Sequence, residues 1–122
     1  RLKEIGTAIQ KYVEKEGFSV VREYCGHGVG TEFHCDPQVL HYKGDDGGVV
    51  LKEGMVFTIE PMVNAGKEVR IMGDGWTVKT KDRSHSAQYE HQIVVTKDGC
   101  EVMTIRDEEI AEGRISHIMK NA

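Results

Sequence analysis

The chain has 122 residues, 39% hydrophobic and 30% charged, enough for one globular domain but not for two. Its net charge of −4 argues against a nucleic-acid or anionic-membrane partner, both of which need a basic surface, and no apolar run approaches the ~20 residues of a membrane span. Cys25, Cys35 and Cys100 are odd in number and contain no CxxC pair, so they are expected to be free thiols in a reducing cytoplasm.

Leu2, Ile5, Ile9, Tyr12 and Val13 fall on one helical face, and Gly17 follows as the stop. Arg1 falls partway into that pattern, with no secretory signal before it, which reads as a processed chain or a piece of a longer one. Phe18 to Tyr24 is β-rich and predicts a short strand. Tyr24 to Pro37, YCGHGVGTEFHCDP, predicts neither helix nor strand, and Gly44 to Gly48 predicts a loop. Val56 to Glu60 reads as a strand ended by Pro61, which cannot donate to a ladder. Val69 to Met72 and Trp76 to Lys79 flank Gly73-Asp74-Gly75 as a hairpin. Ala87 to Thr96 predicts the longest strand, and Asp98-Gly99 turns it into Cys100 to Ile105. Asp107 to Ala122 reads equally as a helical turn or a frayed tail. The sum is an α+β domain, helix over a mostly antiparallel sheet.

Three places could carry chemistry. In the first, glycines on both sides of His27 permit unusual φ and ψ values and close approach of a ligand to the backbone. The glycines lack GxGxxG spacing and no GK[ST] follows, which excludes a phosphate cradle. An imidazole is the commonest metal ligand, although an exposed turn histidine would read the same way. The second place is Glu60 in FTIEPM, on the face of its strand shared with Val56 and Thr58. A carboxylate at the end of an apolar strand needs a lysine, an arginine or a metal to meet it. The third is Glu90, mid-strand in a polar file with Gln88 and Gln92, the wall of a wet groove or an exposed sheet face. Together, one imidazole and two carboxylates suit a hard-to-borderline divalent ion such as Mn, Fe, Co or Zn.

GHGVG followed by FH, then GMVFTIEPM, DGWTVKTKDRS and SAQYEHQIVV, in that order from about Ile5 to about Thr104, resemble bacterial type I methionine aminopeptidase. The resemblance implies a pita-bread fold with two pseudo-symmetric halves around a dinuclear metal site. Residues 1–122 would form a single unit, the C-terminal half of that catalytic domain, its antiparallel sheet covered by helices. It further implies that His27 and Glu60 bind one metal and that Glu90 bridges both. His34 would contact the scissile peptide, Glu60 would act as general base, and Phe33 and Trp76 would wall the methionine pocket. Ser86 matches a structural monovalent-cation position. The implied activity is metal-dependent hydrolysis that removes the N-terminal methionine of nascent proteins in the cytoplasm.

Two aspartate ligands of the family pattern have no counterpart here, so one ion or none is expected rather than two. The chain itself is expected to show little activity, and it is expected to self-associate where the intact family is monomeric. Cys35 stands where the family usually carries an acid, and near Glu32 the family often carries glycine or a basic residue. Two other readings fit the same residues: a pita-bread peptidase acting before proline, and a metal-free pita-bread binding module.

Overall fold

Helix α1 (Lys3–Lys15) forms where the apolar spacing asks for it, in a computed structural model that describes residues 1–120. Glu4 in its first turn and Lys15 in its last both suit the helix dipole. The helix is followed by Gly17 at φ +85°, a left-handed conformation that glycine adopts without a Cβ penalty. Leu2 and Val13 are buried and Ile5 and Ile9 half-buried, but Tyr12 is 71% exposed. The expected five-residue stripe is therefore narrower by one, because Val13 takes the inward position beside it.

Among the described residues eleven strands follow, and every ladder is antiparallel. The expected strand over Phe18 to Tyr24 shortens to β1 (Ser19–Val20). The glycine-rich stretch, expected to lack strands, supplies two: β2 (Gly26–Gly28) and β3 (Cys35–Val39). Tertiary pairing overrides the weak local propensity there, as it often does in sheets. β4 (Val56–Ile59) stops one residue short of the expected strand, leaving Glu60 outside it and still ending before Pro61, and β5 (Met62–Asn64) resumes on the far side of the proline in another sheet. The hairpin is present as β6 (Val69–Ile71) and β7 (Val78–Thr80). Asp74 organises its turn by accepting hydrogen bonds from the Trp76 and Thr77 backbone amides at 3.0 and 2.9 Å.

The long strand expected over Ala87 to Thr96 is divided into β8 (Ser86–Gln88) and β9 (His91–Val95), with Tyr89 and Glu90 in neither. β8 pairs with β5 and β9 pairs with β4, so the break lies opposite Glu60 and Pro61. Pro61 has no amide hydrogen to donate, and the chain changes sheets at that point. β10 (Gly99–Val102), α2 (Asp107–Glu112) and β11 (Ile118–Lys120) complete the order, so the ambiguous C-terminal stretch holds both a short helix and an edge strand. Asn121 and Ala122 lie outside the described residues.

The main sheet runs β11-β10-β9-β4-β2-β3, a smaller one runs β1-β5-β8, and β6-β7 stands alone. Phe57 and Val39 are fully buried, and with Leu2, Ile93, Val95 and Val102 they form the core between the main sheet and the start of α1. Burying such side chains is worth roughly 1.5–3 kcal/mol each, so β2, β4 and β9 are held rigidly side by side.

Candidate metal centre

Those three adjacent strands bring the three sequence-predicted donors together. Ligand atoms of His27, Glu60 and Glu90 all lie within 4.8 Å of one another. His27 is the middle residue of β2, Glu60 directly follows β4, and Glu90 occupies the break before β9. The His27 and Glu60 side chains are 13% and 18% exposed, and Glu90 is open to solvent.

Neither Gly26 nor Gly28 takes a positive φ, so unusual backbone angles are not what these glycines provide. They provide room for other strands. A Cβ on Gly26 would lie 2.2 Å from the Thr58 carbonyl oxygen, and one on Gly28 would lie 2.2 Å from that of Asp36. The bulge between His27 and Gly28 sits where β2 is squeezed between β3 and β4. Bulges of this kind re-aim a side chain, here the imidazole.

Hydrogen bonds then fix each donor. His27 Nδ1 lies 3.0 Å from the Gly28 carbonyl oxygen, so Nδ1–H donates there and leaves the Nε2 lone pair facing Glu60 Oε1 at 3.3 Å. Orientation of a ligating imidazole by a backbone carbonyl is the usual outer-shell arrangement at metal sites. The Thr58 hydroxyl donates to Glu60 Oε1 at 2.9 Å while its oxygen accepts the His27 amide at 3.0 Å. One buried threonine thus ties β2 to the carboxylate. An imidazole lone pair and two carboxylates turned towards one another form an all-acceptor cluster, which a cation among them satisfies. The donor set therefore fits a divalent ion of the borderline class.

Two further residues shape this pocket and carry no motif of their own. Thr58 is 3% exposed. His41 is 1% exposed, and its Nε2 accepts the Glu60 backbone amide at 3.1 Å. Burial pushes the His41 pKa from 6.5 down to about 4, so the ring is neutral and able to accept that bond. The apolar run Val39-Leu40 before it was the available sequence signal, since a histidine closing such a run is carried inward. Burial first, and then the Glu60 charge, push the Cys25 thiol upward, and the group of converging ligand atoms consists of His27, Glu60 and Glu90. All three cysteines are free, as expected.

Of the other anticipated site residues, His34 packs its ring 4.2 Å from that of His27, and Phe33 lies 5.6 Å from His27 and 4.5 Å from His34. Phe33 is 71% exposed and forms an open aromatic wall. Trp76 sits on the β6–β7 turn, 88% exposed, and takes no part in that ring cluster. Ser86 lies in β8 opposite Asn64, in the small sheet rather than among the three donors. Among the described residues no helix is long and apolar enough to cross a membrane.

Comparison with known proteins places the family and the fold. The family model "Metallopeptidase family M24" matches residues 1–97. The chain is 83% identical over 122 residues to the methionine aminopeptidase of Haemophilus influenzae, covering 99% of this chain and 46% of that protein. It is 69% identical over 117 residues to that of Escherichia coli K12, covering 95% and 44%. The crystal structure of methionine aminopeptidase from Rickettsia prowazekii superposes with a TM-score of 0.82 at 54% identity, over 86% of this chain and 43% of that one. The Thermotoga maritima enzyme gives 0.81 at 47% identity, over 87% and 43%. The fold is accordingly that of the pita-bread aminopeptidases, and the chain spans a little under half the length of the curated relatives it matches. With three convergent donors on adjacent strands and the family pattern running through them, the chain belongs to metallopeptidase family M24.

Proposed function

We propose that residues 1–122 form one half of the catalytic domain of a methionine aminopeptidase, a metallohydrolase that removes N-terminal methionine from nascent proteins in the cytoplasm. The observation that carries this reading is the clustering of His27, Glu60 and Glu90 within 4.8 Å. These three residues would hold the divalent ion, which is Co, Mn, Fe or Zn. A complementary half would supply the two further carboxylates needed for a second ion. When bound, the ion would supply Lewis-acid chemistry, polarising a carbonyl and acidifying water.

The chain's own residues supply the rest. Glu60, steadied by the Thr58 hydroxyl, would receive the proton that water loses as it attacks the peptide carbonyl. His34, held against His27, would donate a hydrogen bond to the oxygen on which charge develops. Phe33 and Trp76 would border the methionine side chain once the complementary half is present. Ser86 would lie at the monovalent-cation position.

Titration of the purified chain with Mn²⁺ or Co²⁺, followed by calorimetry or cobalt absorption, tests the reading. One ion is expected per chain, with affinity falling tenfold or more in each of His27→Ala, Glu60→Gln and Glu90→Gln. Peptides with N-terminal methionine are expected to be cleaved at an ordinary rate only when both halves are present. Equal ion binding by the wild type and the three variants would overturn the assignment of the donors.

A further inference from the structure

The break between β8 and β9 leaves Glu90 outside either strand, so ladder hydrogen bonds do little to fix it. The residues on either side of it keep backbone ties, His91 opposite Ile59 in the ladder and the Tyr89 amide to the Pro61 carbonyl at 3.4 Å, and one carboxylate holds both of their side chains. Glu109, the third residue of α2, is 9% exposed. Its Oε1 accepts hydrogen bonds from the Tyr89 hydroxyl and from His91 Nε2, the latter at 3.1 Å. Its Oε2 accepts the Arg106 backbone amide at 2.8 Å, and the Arg106 guanidinium lies 3.7 Å from Oε1 and over the Tyr89 ring. The other side of His91 is fixed as well. Thr104 Oγ1 accepts the Gln92 amide at 3.0 Å and meets His91 Nδ1 at 2.8 Å. A threonine hydroxyl that donates to Nδ1 leaves Nε2–H to donate to Glu109. Tyr89 and His91 are therefore held from the α2 side. Side chains alternate along extended backbone, so Glu90 between them is turned the opposite way, towards His27 and Glu60.

We propose that Glu109 is a positioning residue for Glu90. By fixing the Tyr89 and His91 side chains, its carboxylate aims Glu90 at the other two donors. The proposal rests on the metal-centre reading for its consequence, though not for its geometry. Glu109 also lies beyond residues 1–97, the stretch matched by the family model, so the short C-terminal helix would be part of the site's support.

The test compares Glu109→Ala, Glu109→Gln and Tyr89→Phe with Gly113→Ala. The last strains the C-terminal cap of α2 at φ +73° without touching the Glu109 network. Two quantities are read: the position of the Glu90 carboxylate relative to His27, by crystallography or NMR, and Mn²⁺ or Co²⁺ affinity at a temperature where each variant is folded. Glu109→Ala is expected to scatter Glu90 and weaken ion binding about tenfold or more, the range seen when outer-shell partners of metal ligands are removed. Glu109→Gln, which keeps an acceptor oxygen, should recover most of that loss, and Tyr89→Phe should cost about threefold, the effect of losing one hydrogen bond of the several that Glu109 accepts. Gly113→Ala should lower the melting temperature while leaving affinity and Glu90 unchanged.

The proposal is overturned if Glu90 stays in place and affinity holds within twofold in Glu109→Ala. It is also overturned if Gly113→Ala, at equal loss of stability, weakens the ion as much. Should the wild type bind no ion, the metal reading fails by itself, and the position of Glu90 in Glu109→Ala still decides the positioning role.

Discussion

Gly26→Ala is expected to destabilise the chain by on the order of 3 kcal/mol or more, and to abolish ion binding with it. The new methyl would sit 2.2 Å from the Thr58 carbonyl oxygen and 3.1 Å from Val39 Cβ. Neither neighbour is a flexible side-chain tip. Thr58 is backbone in the middle of β4, whose Phe57 is fully buried and whose ladder to β9 spans Val56 to Ile59. Val39 is itself fully buried in β3. Relief requires β2 to move away from β4, and that movement separates His27 from both Thr58 and Glu60. Domains of this size are stable by only about 5–15 kcal/mol in total. Urea denaturation monitored by circular dichroism measures the loss. A midpoint unchanged from wild type would mean that the two strands leave room for a methyl group between them.

The second large effect is on the pH dependence of stability, through His41. Burial lowers its pKa from 6.5 to about 4, so between those values the unfolded chain binds a proton that the folded chain refuses. Stability from this group is complete above pH 6.5 and is lost as the pH falls towards 4. Each tenfold difference in proton affinity between the two states is worth about 1.4 kcal/mol, so the loss amounts to roughly 3 kcal/mol. His41→Gln removes the titration while its amide oxygen can still accept the Glu60 amide, so its stability should change far less across this window. The exposed carboxylates of Glu4, Glu68, Asp74 and Asp82 have pKa values lowered by hydrogen bonds and ion pairs. Their contribution also declines in acid, below their unfolded pKa values, and it is common to both proteins. The difference between wild type and His41→Gln, from denaturation curves at pH 7, 5.5 and 4.5, therefore isolates the buried ring. Parallel curves would show that His41 is protonated without penalty.

How far the sequence revealed the architecture depended on whether a signal was local. α1, the strand before Pro61 and the hairpin around Asp74 were legible because apolar spacing, a missing amide donor and turn residues act within a few positions. β2 and β3 were not legible, because GHG has low strand propensity and becomes a strand only through pairing with residues about ten to thirty positions away. The division of Ala87 to Thr96 was hidden for the related reason that its cause, Pro61, lies on a different strand. At the site, His27, Glu60 and Glu90 could be found by residue type and motif, and the fold brings them together. Thr58 and Glu109 could not, since a threonine and a glutamate become supports only through what they meet in space, and for His41 the run Val39-Leu40 signalled burial but not its bond to the Glu60 amide. Tyr12 shows the opposite error, a periodic apolar position that the packing did not use.

The donors at positions 27, 60 and 90 are neighbours only because β2, β4 and β9 lie side by side in the main sheet. A peptide cut around any one of them carries only one of these three groups, so this particular constellation arises all at once, when the last of the three strands docks. An ion held by all three would bind only the finished topology, and by mass action it would stabilise the assembled sheet over partly paired intermediates.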